Sequence, residues 1–296
     1  MDDETFFVVG ISQNTPSWLK WRSEKVGSSD FPIVIGVSPW LTPLQLWKQK
    51  LGFESSGPLH PGMIYGNQKE SFVREHLQKK YGKRIDPLTV QNKELDWATA
   101  SLDGMSEDGM IFEIKCPSEG VHQMAEEGRI PPYYYAQVQW QLFVTGKPFA
   151  TYVSYLEKAE EPFVEVKVEY SKEYMKSHIA AAVDFYECML YCQPTPPSER
   201  DHIRCDDPDF AKYASKYIQA KETLDEAQKQ HNYYKEKLIS LTDDSNTEGF
   251  GVKITRVNRD GSVDWKKLCS DQGISKETVD LYRKPQIGYW QISLKD

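Results

Sequence analysis

The chain has 296 residues, 39% hydrophobic and 27% charged, with a formal net charge of −8. That length holds one large domain plus a smaller one, or two domains, and the composition can bury a core. Mean hydropathy is −0.62 and no apolar run approaches a membrane span, which excludes a membrane partner of the helical kind. The negative balance also argues against non-specific attraction of the whole surface to nucleic acid.

Other bulk features point the same way. The start, MDDETFFVVG, lacks the basic n-region and long apolar core of a signal peptide, so the expected compartment is the cytoplasm. Five cysteines, an odd number, fit reduced thiols better than a disulfide framework. A local basic channel or bound cations can still bring a phosphate to an acidic protein.

In chain order, Thr15 to Arg22 reads as a helix start. Ser28, Ser29 and Asp30 open a short segment rich in Ile and Val that ends at GVSPW. TPLQLWKQKLG predicts a helix with Thr42 at its N-cap, Pro43 at the first position and Gly52 as its stop. A second helix is expected over Tyr65–Gly82, with Phe72, Val73, Leu77 and Tyr81 as its apolar stripe. WATASLDGM and MIFEIKCP are strand-like and flank a turn at Ser106–Gly109, so they predict a hairpin, with Asp103 held in a tight Ser-Leu-Asp-Gly turn. YYYAQVQWQLFVTG reads as a helix with Val138, Leu142 and Phe143 on its apolar side. Two strands, FATYVSYLE and PFVEVKVEY, follow, joined by KAEE. A helix from Ser171 to about Cys192 carries Ile179, Ala182, Phe185 and Met189 along one face. This order predicts a mixed α/β core.

QPTPPSERD, Gln193 to Asp201, is a proline-rich linker and the first expected boundary. Beyond it Phe210, Tyr213, Tyr217, Ala220, Leu224, Ala227, His231, Tyr234, Leu238 and Leu241 alternate in steps of three and four. That is a heptad seam, and it predicts a long helix packed on a partner, intramolecular or from another chain. TDDSNTEG ends it. The remainder suggests a small α+β module: FGVKITRV, a turn at NRDG, SVDW, a short helix from Ser275 and a final strand IGYWQIS.

The chemistry concentrates in the hairpin. Glu113 and Lys115 are two apart, so they share one face of an otherwise apolar strand. Charges there are costly to desolvate unless paired. Mg²⁺ and Mn²⁺ take oxygen ligands, and Asp103, Glu113 and the Ile114 carbonyl supply them. Lys115 is then placed to orient or help deprotonate a metal-bound water, which is the apparatus of phosphodiester hydrolysis. The bland alternative is a solvated same-face pair with Asp103 as turn chemistry.

Five segments together tip that balance. WRSEKVGSSD, YGNQKESFVREH, ASLDG, FEIKCP and the AQVQ of the tyrosine-led helix occur in this order over roughly residues 15 to 160. They resemble the λ exonuclease / YqaJ branch of the PD-(D/E)xK nuclease superfamily. The resemblance implies a restriction-endonuclease-like α/β (α+β) core, a mixed central sheet flanked by helices. Over residues 1–200 it implies a nuclease domain, followed here by the long helix at 201–243 and the small α+β module at 244–296. It implies two Mg²⁺ or Mn²⁺ ions, held by Asp103, Glu113, the Ile114 carbonyl and Glu70, the last directly or through water. Asp103, Glu113, Lys115, Glu70 and Gln137 become the catalytic set, Gln137 touching the lysine or the scissile phosphate, with Gln139 and Gln141 as competitors. Arg22, Ser29 and Ser101 become contacts to DNA, including a terminal 5′ phosphate; arginine suits this through its bidentate fork.

The same resemblance implies digestion of linear duplex DNA from 5′ ends, leaving 3′ single strands for phage-type recombination. It further implies a single-strand annealing protein as partner and a ring-shaped homotrimer, in a bacterial or phage-infected cell. Two alternatives stay open: an endonuclease or junction-cleaving enzyme of the same superfamily, and a non-catalytic DNA-binding scaffold that recruits a partner through the C-terminal helix.

Other candidates carry less. An iron–sulfur cluster on Cys188, Cys192 and Cys205 lacks its fourth ligand upstream, and the first two fall on the apolar side of a helix. His122, His178 and His231 show no ligand spacing. Tyr133, Tyr134 and Tyr135 either stack on bases or pack the core. Of Trp18, Trp21, Trp40 and Trp47, most are expected in the core, with one free to wedge DNA strands apart.

Overall fold

Hydroxyls and prolines start most of the helices, and glycines end them. In the computed structural model, which describes residues 5–292 apart from 14, 56, 59, 244, 260, 286, 287, 289 and 290, the chain divides into two units, 1–203 and 204–296.

The first unit runs β1 (Phe6–Val8), α1 (Pro16–Ser23), α2 (Phe31–Val34), α3 (Pro43–Lys50), α4 (Pro61–Tyr81), β2 (Ile85–Asn92), β3 (Thr99–Ser106), β4 (Ile111–Lys115), α5 (Glu119–Glu126), α6 (Pro132–Thr145), β5 (Phe149–Tyr155), β6 (Phe163–Glu169) and α7 (Lys172–Leu190). Thr42 caps α3 in a capping box with Gln45. Gly82 ends α4 in the left-handed conformation at φ 61°. The six strands lie in the order of the chain. All neighbours are antiparallel except β4 and β5, which are parallel. The parallel step needs a crossover, and α5 with α6 provides it.

Helices cover both faces of this mixed sheet. The larger apolar cluster joins Phe31, Trp47, Leu102, Trp140, Tyr152 and Phe185, so α2, α3, α6 and α7 lie on one side. Trp140 stacks on Phe31 with 4.6 Å between centroids, and its indole N–H donates to the Thr99 carbonyl at 3.0 Å. On the other side Val73 and Leu77 of α4 pack on Ile85, Phe112, Ile114 and Val153. Phe72, expected in that stripe, is instead 49% exposed, turned toward Tyr155 and Phe163.

Several expectations need correcting. The Ser-Leu-Asp-Gly stretch is not a turn but the middle of β3. Gly104 is there because a Cβ would stand 2.6 Å from Ile85 Cγ2. The turn proper is at Ser106–Gly109, where Gly109 has φ 85° and its N–H bonds the Ser106 carbonyl at 2.8 Å. β2 escaped notice because Pro87 interrupts it; the register shifts between Asp86 and Leu88 to accommodate a residue without an N–H. β1 and α5 also went unseen, and α4 starts four residues earlier than expected. Cys192 is exposed, just past the end of α7 at φ 53°, rather than on its apolar side.

The second unit holds α8 (Pro208–Ser240), the hairpin β7 (Thr247–Gly249) and β8 (Val252–Ile254), α9 (Trp265–Asp271) and α10 (Lys276–Leu281). Asp207 caps α8 by accepting from Asp209 N at 2.7 Å. None of the described residues of α8 is buried, so its seam stands open. The hairpin turns at Phe250 and Gly251, both at positive φ, and begins inside TDDSNTEG, the tract expected to end the long helix. Asp264, within SVDW, caps α9. The final strand expected at IGYWQIS falls largely outside the described residues.

Candidate active site

The register of β3 and β4 pairs Met105 with Ile111 and Gly104 with Phe112, and stops there. The next pair would be Asp103 and Glu113, and at that point the strands part. The Asp103 carboxylate enters the gap, and its Oδ2 accepts the Ile114 N–H at 2.8 Å. A side chain thus takes the place of a ladder carbonyl, which fixes the aspartate against the backbone of the opposite strand.

Glu113 has no exposed side-chain surface. Three donors compensate that burial. Lys115 pairs with its Oε1, Gln137 Nε2 donates to the same oxygen, and Gln141 Nε2 donates to Oε2. The two glutamines are one turn apart on α6, so one face of that helix cradles the carboxylate. Lys115 Nζ also lies 3.9 Å from Asp103 Oδ2 and 5.5 Å from the Tyr134 ring centroid.

Burial, then the charges of Glu113 and Glu70, push the Asp103 carboxyl up to about 8 against the pull of Lys115 and the Ile114 N–H. Burial works to lower the Lys115 ammonium, but Glu113 and Asp103 outweigh it and hold the group above its ordinary range. Lys115 is therefore a firm cation and a hydrogen-bond donor.

Glu70 approaches from α4. It pairs with Arg74 at 2.7 Å, one turn on, and Arg74 Nη1 also donates to the Asp103 carbonyl. Arg74 was missed from the sequence, although a Glu-x-x-x-Arg spacing beside a candidate ligand is a usable signal. A groove of about 540 Å³ opens beside this pair, lined by Gln13, Asn67, Glu70, Arg74 and Thr89 among others.

Among the described residues, no three His, Cys, Asp or Glu side chains stand close enough together to hold a metal ion as they are. Two side-chain cations balance the carboxylates instead, Lys115 at Glu113 and Asp103, and Arg74 at Glu70. The donor set nevertheless fits a hard cation. It is all oxygen: Asp103, Glu113, the Ile114 carbonyl and Glu70. Two buried polar atoms near Glu113, Gln141 Oε1 and the Tyr152 hydroxyl, have no partner among the described residues; Tyr152 is the strand neighbour of Glu113. Orphans at such a place call for an ion or ordered water.

The Arg22 group lies at the end of α1 and in the loop that follows it. The loop after α1 is fastened to the start of β3 by the Val26–Ala98 bridge and by Thr99 N to Val26 O at 3.0 Å. Asp103 is four residues along that strand, about 13 Å at strand rise. Arg22 Nη2 bonds Ser29 Oγ and Asp30 Oδ1 at 3.1 Å, and the guanidinium lies over the Trp18 ring, 5.0 Å from its centroid. Asp30 is buried, yet Lys50 and Arg22 overcome the upward push of burial and hold its carboxyl below the usual range. Ser29 is exposed and Ser101 half-buried, two residues before Asp103.

Of the sequence candidates, then, the structure brings together Asp103, Glu113, Lys115, Ile114, Glu70 and Gln137, with Arg22 and Ser29 as a separate pair. Gln137 bonds Glu113 rather than Lys115. Gln141 shares that task. Gln139 does not: it is buried, donating to Glu169 O at 2.7 Å and accepting from Ser171 N at 2.7 Å. His122 is a core histidine bonded to Ser154 Oγ at 2.8 Å and Glu161 O at 2.9 Å.

Comparison with known proteins agrees with this fold. The chain is 26% identical over 173 residues to protein YqaJ of Bacillus subtilis (strain 168), covering 57% of this chain and 54% of that one. It thus spans about half the length of that relative. It superposes on the alkaline exonuclease LHK-Exo of Laribacter hongkongensis with a TM-score of 0.52 and 21% identity, over 60% of this chain and 94% of the other. The same enzyme in complex with dAMP gives 0.53, at the same identity and coverage. Residues 17–148 match the YqaJ-like viral recombinase domain, so this segment of the first unit is similar to the λ exonuclease / YqaJ family.

Proposed function

We propose that the first unit is a metal-dependent deoxyribonuclease that degrades linear duplex DNA from its 5′ ends. The observation that carries this reading is the fork in the sheet. It gathers an all-oxygen donor set and one lysine where two strands separate, and holds Glu113 with two glutamines. The relative LHK-Exo, whose structure has been described with dAMP, supports DNA as the substrate class.

Asp103, Glu113 and the Ile114 carbonyl would hold the divalent ion, Mg²⁺ or Mn²⁺ and two per site by family resemblance, with Glu70 reaching it directly or through water. When bound, such an ion supplies positive charge at the phosphoryl oxygen and a more acidic water. The chain's own groups do the rest. Lys115 donates a hydrogen bond to orient the attacking water or the phosphate. Gln137 and Gln141 keep Glu113 from rotating. Arg22 offers the guanidinium edge that faces away from Asp30 to a phosphate, beside the Ser29 hydroxyl, and Ser101 adds a donor along β3. Hydrolysis joins the water oxygen to phosphorus, breaks the P–O bond to the neighbouring nucleotide and returns a proton to that leaving oxygen. Repeated from a 5′ end it frees mononucleotides and leaves a 3′ single strand, the substrate of an annealing protein in recombination.

The test is topological. Wild-type protein with Mg²⁺ is given closed circular duplex and linear duplexes labelled at the 5′ or 3′ end. The expected result is loss of the linear DNA alone, with the 5′ label released first. Arg22→Ala should raise KM for 5′-phosphorylated ends by about tenfold, the worth of one charge-assisted contact, while 5′-hydroxyl ends respond less. Cutting of the circle would replace the exonuclease reading with an endonuclease.

A further inference from the structure

The nuclease reading leaves one feature unused. Trp40 is 63% exposed, yet the turn that carries it is pinned. Trp40 N donates to Ser38 Oγ at 3.3 Å. Arg200 Nη1 and Nη2 donate to the Ser38 and Pro39 carbonyls, both at 2.7 Å. Thr42, two residues on, bonds Asp201. The proline-rich stretch read as a linker therefore ends by bracing this turn. A large aromatic held rigid in solvent is a poor core element and a good binding surface.

Trp40 does not stand alone. Tyr133, at the start of α6, meets it edge-on with 4.8 Å between centroids. Tyr134 lies 6.5 Å from Trp40 and 4.5 Å from Tyr133. Tyr134 in turn has Lys115 Nζ 5.5 Å from its centroid. Two steps thus carry an aromatic wall from the lysine at the fork to the exposed face of Trp40. Tyr135 takes no part, being packed on Tyr174 at 5.1 Å. The alternatives for the three tyrosines separate: the third is structural and the first two front the site.

We propose that Trp40, backed by Tyr133, is a nucleobase-stacking subsite for the nucleotide next to the scissile phosphate. This rests on the nuclease reading of the fork. A base has a π-face whatever its identity, so the subsite is sequence-tolerant and requires the base to be out of its pair. Stacking there would favour frayed ends over paired interior DNA and would fix the phosphate before Lys115.

The experiment compares wild type, Trp40→Ala, Trp40→Phe and Tyr133→Ala on linear duplexes. The ends carry either normal nucleotides or a tetrahydrofuran abasic residue at the terminal or penultimate position. Wild type should lose about tenfold in kcat/KM on the abasic end, the worth of one base stack. Trp40→Ala should show that loss already on the normal end and no further loss on the abasic one, while Trp40→Phe keeps most of the activity. If the two losses multiply, or Trp40→Ala cuts like wild type, the subsite is overturned. Fluorescence anisotropy of a labelled five-nucleotide oligothymidylate, without metal, separates this from the nuclease reading. A wild type that cuts nothing but binds the strand in a Trp40-dependent way would sink the nuclease and keep the stacking site. Equal binding by wild type and Trp40→Ala would sink the stacking site.

Discussion

Asp103 binds its proton more tightly in the folded chain than out of it, its carboxyl being raised from 3.8 to about 8. The folded state therefore holds more protons than the unfolded one between those values. Stability of the metal-free protein should fall as pH rises through that window and level off above about 8. Asp103→Asn removes the penalty. At pH 8 with EDTA, urea unfolding should show the variant more stable, by up to about 5 kcal/mol, and at pH 4 no difference. Equal stability at both would mean that Asp103 carries no buried-charge penalty. The same proton competes with a cation, so metal affinity should climb with pH and level off near 8, with proton release detectable in calorimetry in buffers of different ionisation heat. Gln141→Leu strips a donor from buried Glu113 and should lower activity by about 10- to 100-fold, as loss of a partner behind a ligand does. Asp103, Glu113 and Lys115 were singled out by residue type and spacing together with the five-segment family resemblance. Gln141 stayed a competitor of Gln137, since deciding among positions 137, 139 and 141 needs the angle at which α6 docks.

At the scale of elements, the fork between β3 and β4 positions the candidate site, and Gly104 is its hinge pin. A Cβ at that position would collide with Ile85 of β2. Gly104→Ala should cost about 1–3 kcal/mol through overpacking, and a thermal melt beside an activity assay would show both falling together. The hairpin, α6, β5, β6 and α7 were legible because turn residues and apolar periods bound them. β2 was not, because Pro87 sits in its middle and is tolerated only through a register shift made by β3. Nor could the sequence tell that the Asp-Gly of β3 was strand glycine rather than turn glycine, a difference decided by Ile85, some twenty residues away.

At the scale of the molecule, every group assigned to the site lies within residues 1–203, and Arg200, which braces the Trp40 turn, is inside that boundary. A fragment of residues 1–203 should fold, give a cooperative melt and keep cleavage, whereas one ending at 192 should lose affinity for DNA ends with the brace. The heptad period of α8 was readable as a helix. What covers its exposed seam was not, because a period specifies a partner's shape and not its identity. A ring-shaped trimer and an annealing partner remain proposals resting on family resemblance, and sedimentation with and without residues 204–296 would test the first. The most direct test of the central claim is the digestion of linear duplex DNA by wild type, Asp103→Asn and Lys115→Ala, each with Mg²⁺ and with EDTA. Cleavage by wild type only, only with Mg²⁺, and at least about 100-fold above both variants is the result predicted. Cleavage that survives either substitution or the chelator would contradict the assignment of the fork as the catalytic centre.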